Sequence, residues 1–191
     1  CFCLPHTRRT GKRNPSMPSS GIPPTSACLM LWMVTSRTTI SVQTRFTPYP
    51  FHFPCSRRNR KKAVVALVEK ELFVGCGLRS LAPDHPDYHG IYCGALAKRD
   101  AAYHQGTAWG FLLGGFFSAY MKVNHHSSSA VENAVHMLEP VRKHLSDSGC
   151  IGSISEIFDG DTPHNPRGCY AQAWSVGEVL RCYCEDILPY L

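Results

Sequence analysis

The sequence predicts an all-α chain: part of a double-layered helical toroid, incomplete, with an irregular segment on its N-terminal side. Three observations carry this reading. Apolar residues recur at helical spacing in 63–72, 108–123, 131–145 and 170–188, and no convincing alternating strand appears. The second of these stretches is apolar nearly all round and the third on one side only, which is the contrast between an inner and an outer helix of a two-layered ring. Long loops rich in Gly and Pro separate them, at 76–107 and 150–169. About four helices are too few to close such a ring, so an apolar face should lie exposed.

Residues 1–62 carry 11 Lys or Arg and no Asp or Glu, whereas 63–191 carry 9 against 14; the net +6 is therefore +11 − 5. Eight of the 14 prolines also fall in the first part, so a boundary is expected near Lys61–Lys62, between units 1–62 and 63–191. Three readings of 1–62 stand side by side. It is a basic arm that binds nucleic acid or an acidic surface through Arg8, Arg9, Lys12, Arg13 and residues 57–62; or a solvated linker; or a translation in the wrong frame. The single codons of Trp and Met favour the third. Trp32-Met33-Val34 must be TGG-ATG-GTN, and read one base earlier the straddling codons GAT and GGT force Asp-Gly. The true frame would resume around Lys61–Ala63. The chain opens on Cys1 and shows neither a signal-peptide pattern nor an 18-residue apolar run. The expectation is a piece of a longer, cytoplasmic protein with no membrane span.

Ala63–Leu72 reads as a helix closed by Gly75 and Gly77. The stretch 76–107 lacks periodicity and contains Pro83, Pro86, Gly90, Gly94 and Gly106, so it reads as a long ordered loop of the kind that usually carries function. Ala108–Val123, with Trp109, Phe111, Phe116 and Phe117, is an expected inner helix. Residues 124–129 form a polar turn. An outer helix follows over 131–145, kinked or shortened at Pro140. The last helix, 170–188, is expected to turn Ala171, Trp174, Leu180, Tyr183 and Ile187 inward. The ten cysteines are scattered. Cys182 and Cys184 face apart on a helix, which suits reduced thiols better than a zinc pair.

Three clusters carry chemistry. Residues 99–109 (RDAAYHQGTAW) pack a carboxylate, a phenol, an imidazole, an amide and an indole just ahead of the inner helix. A sugar site needs this mixture, planar hydrogen-bonding groups for hydroxyls and aromatic faces for the ring; a locally capped helix start would also use it. Residues 153–161 (SISEIFDGD) place three carboxylates in six residues, with Glu156 among Ile154, Ile157 and Phe158. Asp159-Gly160-Asp161 invites Ca²⁺, but the alternating oxygen ligands and closing Glu of a calcium loop are missing. Residues 168–175 (GCYAQAWS) put Gln172 and Trp174 at the opening of the last helix.

Residues 77–83 (GLRSLAP), 103–107 (YHQGT), 154–160 (ISEIFDG) and 168–175 together resemble, in order and spacing, the C-terminal amylo-α-1,6-glucosidase part of the prokaryotic-type glycogen debranching enzymes. The resemblance covers about residues 63–188. It implies an (α/α)6 toroid that hydrolyses α-1,6-glucosidic branch stubs with inversion, using two carboxyl groups and no metal or organic cofactor. Glu156 takes the place of the general base. Asp100, Tyr103, His104, Gln105, Trp109 and Trp174 would line the glucose subsite, with Arg79, Asp159 and Gln172 holding them in place. The implied partners are glycogen or a branched α-glucan, and the missing N-terminal part of the same enzyme, with no nucleic acid and no membrane. The family's general acid, an Asp after Trp-Met, has no counterpart: Val34 follows Trp32-Met33, and 1–62 holds no acid. An inactive fragment is therefore expected. The rival is a noncatalytic carbohydrate-binding or interaction module with a basic arm. Sequencing the coding DNA tests the frame reading: the alternative frame across 1–62 should encode continuous family-like sequence, and stop codons there would refute it.

Overall fold

A computed structural model describes residues 58–191, with side chains from Lys61 onward; the expectations that fall on residues 1–57 lie outside the described residues. The first helix, α1 (Arg58–Glu71), buries Val65 and Val68, and Leu72 just past its end continues the same stripe at a spacing of four. The stretch 76–107 is not wholly irregular. It holds β1 (Leu78–Arg79) and a short helix, α2 (Leu96–Tyr103), of which only Ala102 is buried. With so little apolar content α2 has no stripe to betray it in the sequence.

The expected inner helix starts later than its apolar run. Ala108–Trp109 forms β2, and α3 (Leu112–Val123) begins beyond it. Eight of its residues, from Leu112 to Met121, are buried, so α3 is enclosed on most sides, as an inner helix should be. It packs against α1, against α4 (Ser128–Met137) and, most extensively, against α6 (Ala173–Cys182). At Gly114 a Cβ would run into the Glu178 carboxylate, so the α3–α6 approach is close because that residue has none. The expected outer helix divides at Leu138 into α4 and α5 (Glu139–Asp147). Pro140 sits in the first turn of α5, where its missing N–H costs nothing, and cannot continue α4.

Two expectations need correction. No strand was expected, yet β1, β2, β3 (Ile157–Phe158) and β4 (Pro166–Arg167) form an antiparallel ladder in that order. Segments of two residues leave no period to read. The final helix also ends at Cys182 and passes through a π-helical turn, Tyr183–Ile187, into a 3-10 turn, Leu188–Tyr190. Its inward positions are Ser175, Cys182 and Ile187. Ala171 precedes the helix and is exposed, Trp174 is 48% and Leu180 59% exposed, and Tyr183 is half-buried; the stripe that faces the core runs instead through Ser175 and Cys182, seven residues apart.

The described residues are mostly helical, in the all-α class and compatible with part of a toroid. A groove of about 490 Å³ between α4, α5 and α6 is lined by Val135, Val141, Leu145, Val176, Val179 and Leu180. The six described cysteines are unpaired. Burial pushes the Cys76 thiol up to about 11 and Cys182 up to about 12, so neither is a reactive thiolate at neutral pH. No described helix is long and apolar enough to cross a membrane.

The core rests on Phe116 and Phe117, both fully buried and edge to face with centroids 5.2 Å apart. Phe117→Ala should lower unfolding free energy by about 3–5 kcal/mol, read from the denaturant midpoint.

Candidate functional site

The four-segment ladder gathers the three sequence clusters at one end of α3 and α6. Leu78 and Arg79 in β1 pair with Trp109 and Ala108 in β2, which pair in turn with Ile157 and Phe158 in β3. The first cluster therefore lies against the second by backbone pairing. Gln172, at the start of α6, joins through its N–H to the Ile154 carbonyl at 2.9 Å.

Glu156 stands at the centre. Ile154, Ser155, Ile157 and Phe158 around it are buried, while Glu156 is only half-buried. The Tyr103 hydroxyl donates to its Oε1, and the Cys169 N–H donates to its Oε2 at 2.9 Å. Its own N–H donates to the Cys169 carbonyl at 2.8 Å. Gly168 completes the cradle. It has φ +66°, and a Cβ there would lie 2.5 Å from Oε2. Each oxygen of an ionised carboxylate has more than one acceptor position, so Glu156 can still receive a water on its open side.

A cluster of aromatic rings reaches this carboxylate through Tyr103. Tyr103 meets the Trp109 ring at 4.8 Å and His104 stacks parallel to it at 5.1 Å. Trp174 reaches Trp109 edge-on at 6.2 Å and stacks on Phe111 at 4.6 Å. The Trp109 indole N–H donates to the Tyr103 carbonyl at 3.2 Å. Burial lowers the pKa of His104 against the opposing pull of Glu156, so its ring is neutral at pH 7. Burial, then the bond to Glu156, raises Tyr103, which stays a donor. The site thus offers one carboxylate among neutral groups and ring faces.

Each expected residue has a definite place. Tyr103, His104, Trp109, Glu156 and Trp174 come together. Gln105 is half-buried on the same turn, its carbonyl accepting from the His89 N–H at 2.5 Å. Asp100 is exposed on α2, and among the described residues no hydrogen bond or ion pair joins it to the Glu156 group. Arg79 supports the ladder, donating to the Gly160 carbonyl at 2.8 Å and the Glu71 carbonyl at 3.1 Å. Asp159 is fully buried. It takes three bonds from Arg167 at 2.9–3.2 Å and one from the Tyr92 N–H at 2.8 Å. Asp161 accepts from the Tyr88 hydroxyl at 2.9 Å; burial and this bond push that phenol up to about 12. The carboxylates considered for Ca²⁺ are therefore occupied, and no group of three metal-ligating side chains stands among the described residues.

Arg167 and Arg99 were not singled out in the sequence. A run of three carboxylates, one flanked by apolar residues, calls for a nearby cation, and Arg167 answers it. Arg99 lies 6.0 Å over the Tyr92 ring, with its Nε buried and unpaired among the described residues. Tyr92 in turn packs on Tyr103 at 5.7 Å.

Residues 42–181 match the family described as amylo-alpha-1,6-glucosidase. The chain belongs to that family. The match contains every residue of the cluster described above and supports a glycogen debranching enzyme C-terminal domain. It opens inside the acid-free segment 1–62. In this amylo-α-1,6-glucosidase domain, Asp159 should act through its ion pair. Arg167→Met would leave a buried carboxylate uncompensated and should cost about 3–5 kcal/mol in thermal or denaturant unfolding. Adding Asp159→Asn should recover part of that loss.

Proposed function

We propose that Glu156 is the general base of an inverting hydrolysis of α-1,6-glucosidic branch stubs on glycogen or a related branched α-glucan. The observation that carries this reading is its setting: a half-exposed carboxylate gripped at both oxygens, beside a wall of neutral rings. Glu156 would take a proton from a water aimed at the anomeric carbon. The water oxygen bonds to that carbon as the C1–O6 bond breaks, and a second carboxyl group gives its proton to the leaving oxygen. In an inverting pair the two carboxyl groups stand about 6.5–9.5 Å apart, to leave room for the water. Trp174 would face the sugar ring, with His104 and Gln105 for its hydroxyls, while Trp109, expected as a second wall, is 5% exposed under the neighbouring rings and backs them instead. Asp100, on the outer surface of α2, would enter only from the rim.

The proton donor has no counterpart in 1–62, where no acid occurs, so this chain would supply the base side of a site that the upstream part of the enzyme completes. The six thiols among the described residues, all unpaired, fit work in a reducing compartment, the cytoplasm. A second reading, glucan binding without hydrolysis, draws on the Trp174–Phe111 stack, whose indole is half exposed and needs no acid to hold a sugar.

Purified chain incubated with a branched limit dextrin should release no glucose. Supplied with the upstream part of the enzyme, it should release glucose that appears first as the β-anomer by NMR. Glu156→Gln should then slow release by about 10²–10⁴-fold. Release by the chain alone, or an unaffected Glu156→Gln variant, would refute the proposal.

A further inference from the structure

We infer that His144 of α5 is a positioning residue for Glu156, acting through the backbone amide of Ser155. This rests on the general-base reading of Glu156. His144 is a buried polar residue on an outer helix, 4% exposed, and the ladder does not use it. Its Nε2 accepts from the Ser155 N–H at 3.3 Å. That acceptance places the ring proton on Nδ1, which donates to Ser148 Oγ at 2.7 Å. The ring packs edge-on against Phe158, centroids 5.0 Å apart.

The segment around Glu156 is pinned residue by residue. The Ile154 carbonyl is held by Gln172 and the Glu156 N–H by Cys169, both through backbone atoms. The Ser155 N–H, in a residue 1% exposed, is instead held by a side chain from another element. Losing His144 would leave this amide buried without an acceptor, a cost that the segment can relieve by shifting. A shift at residue 155 moves the next Cα, and with it the carboxylate that Tyr103 and Cys169 hold.

The same contact makes the pin sensitive to acid. A protonated imidazole has no acceptor at Nε2. The groups facing the ring are Ser148, Ser155 and Phe158, none of which titrates, and burial alone sets its protonation. Burial lowers its pKa from the ordinary 6.5, so just below that value the unfolded chain binds more protons than the folded one. The stability that His144 contributes is complete above the unfolded value and is lost as pH falls through the lowered folded value.

Amide hydrogen exchange by NMR on the full chain tests this, between about pH 7.5 and about pH 5, with intrinsic rates corrected. Ser155 and Cys169 amides should lose protection together, by about tenfold or more, as His144 protonates. In His144→Gln, whose side-chain oxygen accepts without titrating, both should keep their protection across the range. In His144→Ala both should lose it at every pH. The inference is overturned if the Cys169 amide stays protected in His144→Ala, or if His144→Gln follows the same pH course as the unsubstituted chain. Should His144→Ala not fold, the pH series and the Gln variant decide. Glu156→Gln activity is a separate measurement: its failure would remove the general-base reading and leave these amide results standing.

Discussion

The ion pair between buried Asp159 and half-buried Arg167 ties together the loops at the functional end of the described residues. Asp159 has no exposed surface, and its carboxylate receives the Arg167 guanidinium from β4 and the Tyr92 N–H from the first long loop. Its own N–H donates to the Asn165 carbonyl at 2.9 Å, and its carbonyl meets the His164 ring at 3.0 Å. A lone charge in that position would cost several kcal/mol, so both loops are committed to the arrangement that keeps it paired. Glu156 lies three residues earlier on the same segment and inherits that rigidity without sharing the burial.

The ladder explains how loops can be buried at all. Backbone N–H and C=O groups away from water need partners, and 76–107 and 150–169 have too little helix to supply them internally. Pairing two residues at a time from β1 to β4 satisfies them where the loops cross. The Gly160 N–H donating to Gly90 at 2.7 Å and the Ser80 N–H donating to Thr107 at 2.9 Å extend the same solution beyond the ladder. Beneath it, α3 supplies an apolar floor. The helices therefore decide that there is a core, and the loops use it as a base on which to set side chains.

Electrostatics divide the same way. Three carboxylates share residues 156–161, yet they do three different things. Asp159 is neutralised by Arg167, Asp161 holds Tyr88, and Glu156, half-buried, has a neutral donor on each oxygen. Tyr103 stays protonated and His104 neutral at pH 7, because burial disfavours the charged form of each. A surface of rings and neutral polar groups suits an uncharged, hydroxyl-rich ligand.

Much of this was legible in the residues themselves. The all-α class and the enclosed character of α3 followed from apolar spacing, and the break near Pro140 from a ring that cannot continue a helix. That Tyr103, His104, Trp109 and Glu156 meet at one place was implied by the family resemblance of the motifs, whereas composition alone gave separate clusters. Four things belonged to tertiary structure alone. Two-residue strands exist only as pairs and have no period of their own. Trp174 and Leu180 lie off the Ser175–Cys182 stripe that packs against the core, and which apolar positions of the helix form that stripe is decided by packing. Asp100 and Glu156 look alike as carboxylates in motif-rich loops, but one is left on a helix surface and the other is gripped between Tyr103 and Cys169. Arg167 becomes the partner of Asp159 only when β3 and β4 lie side by side. Local sequence fixes which way an element curls and how apolar it is; which charge ends up buried, and against what, is set by contacts between segments that the chain brings together only when folded.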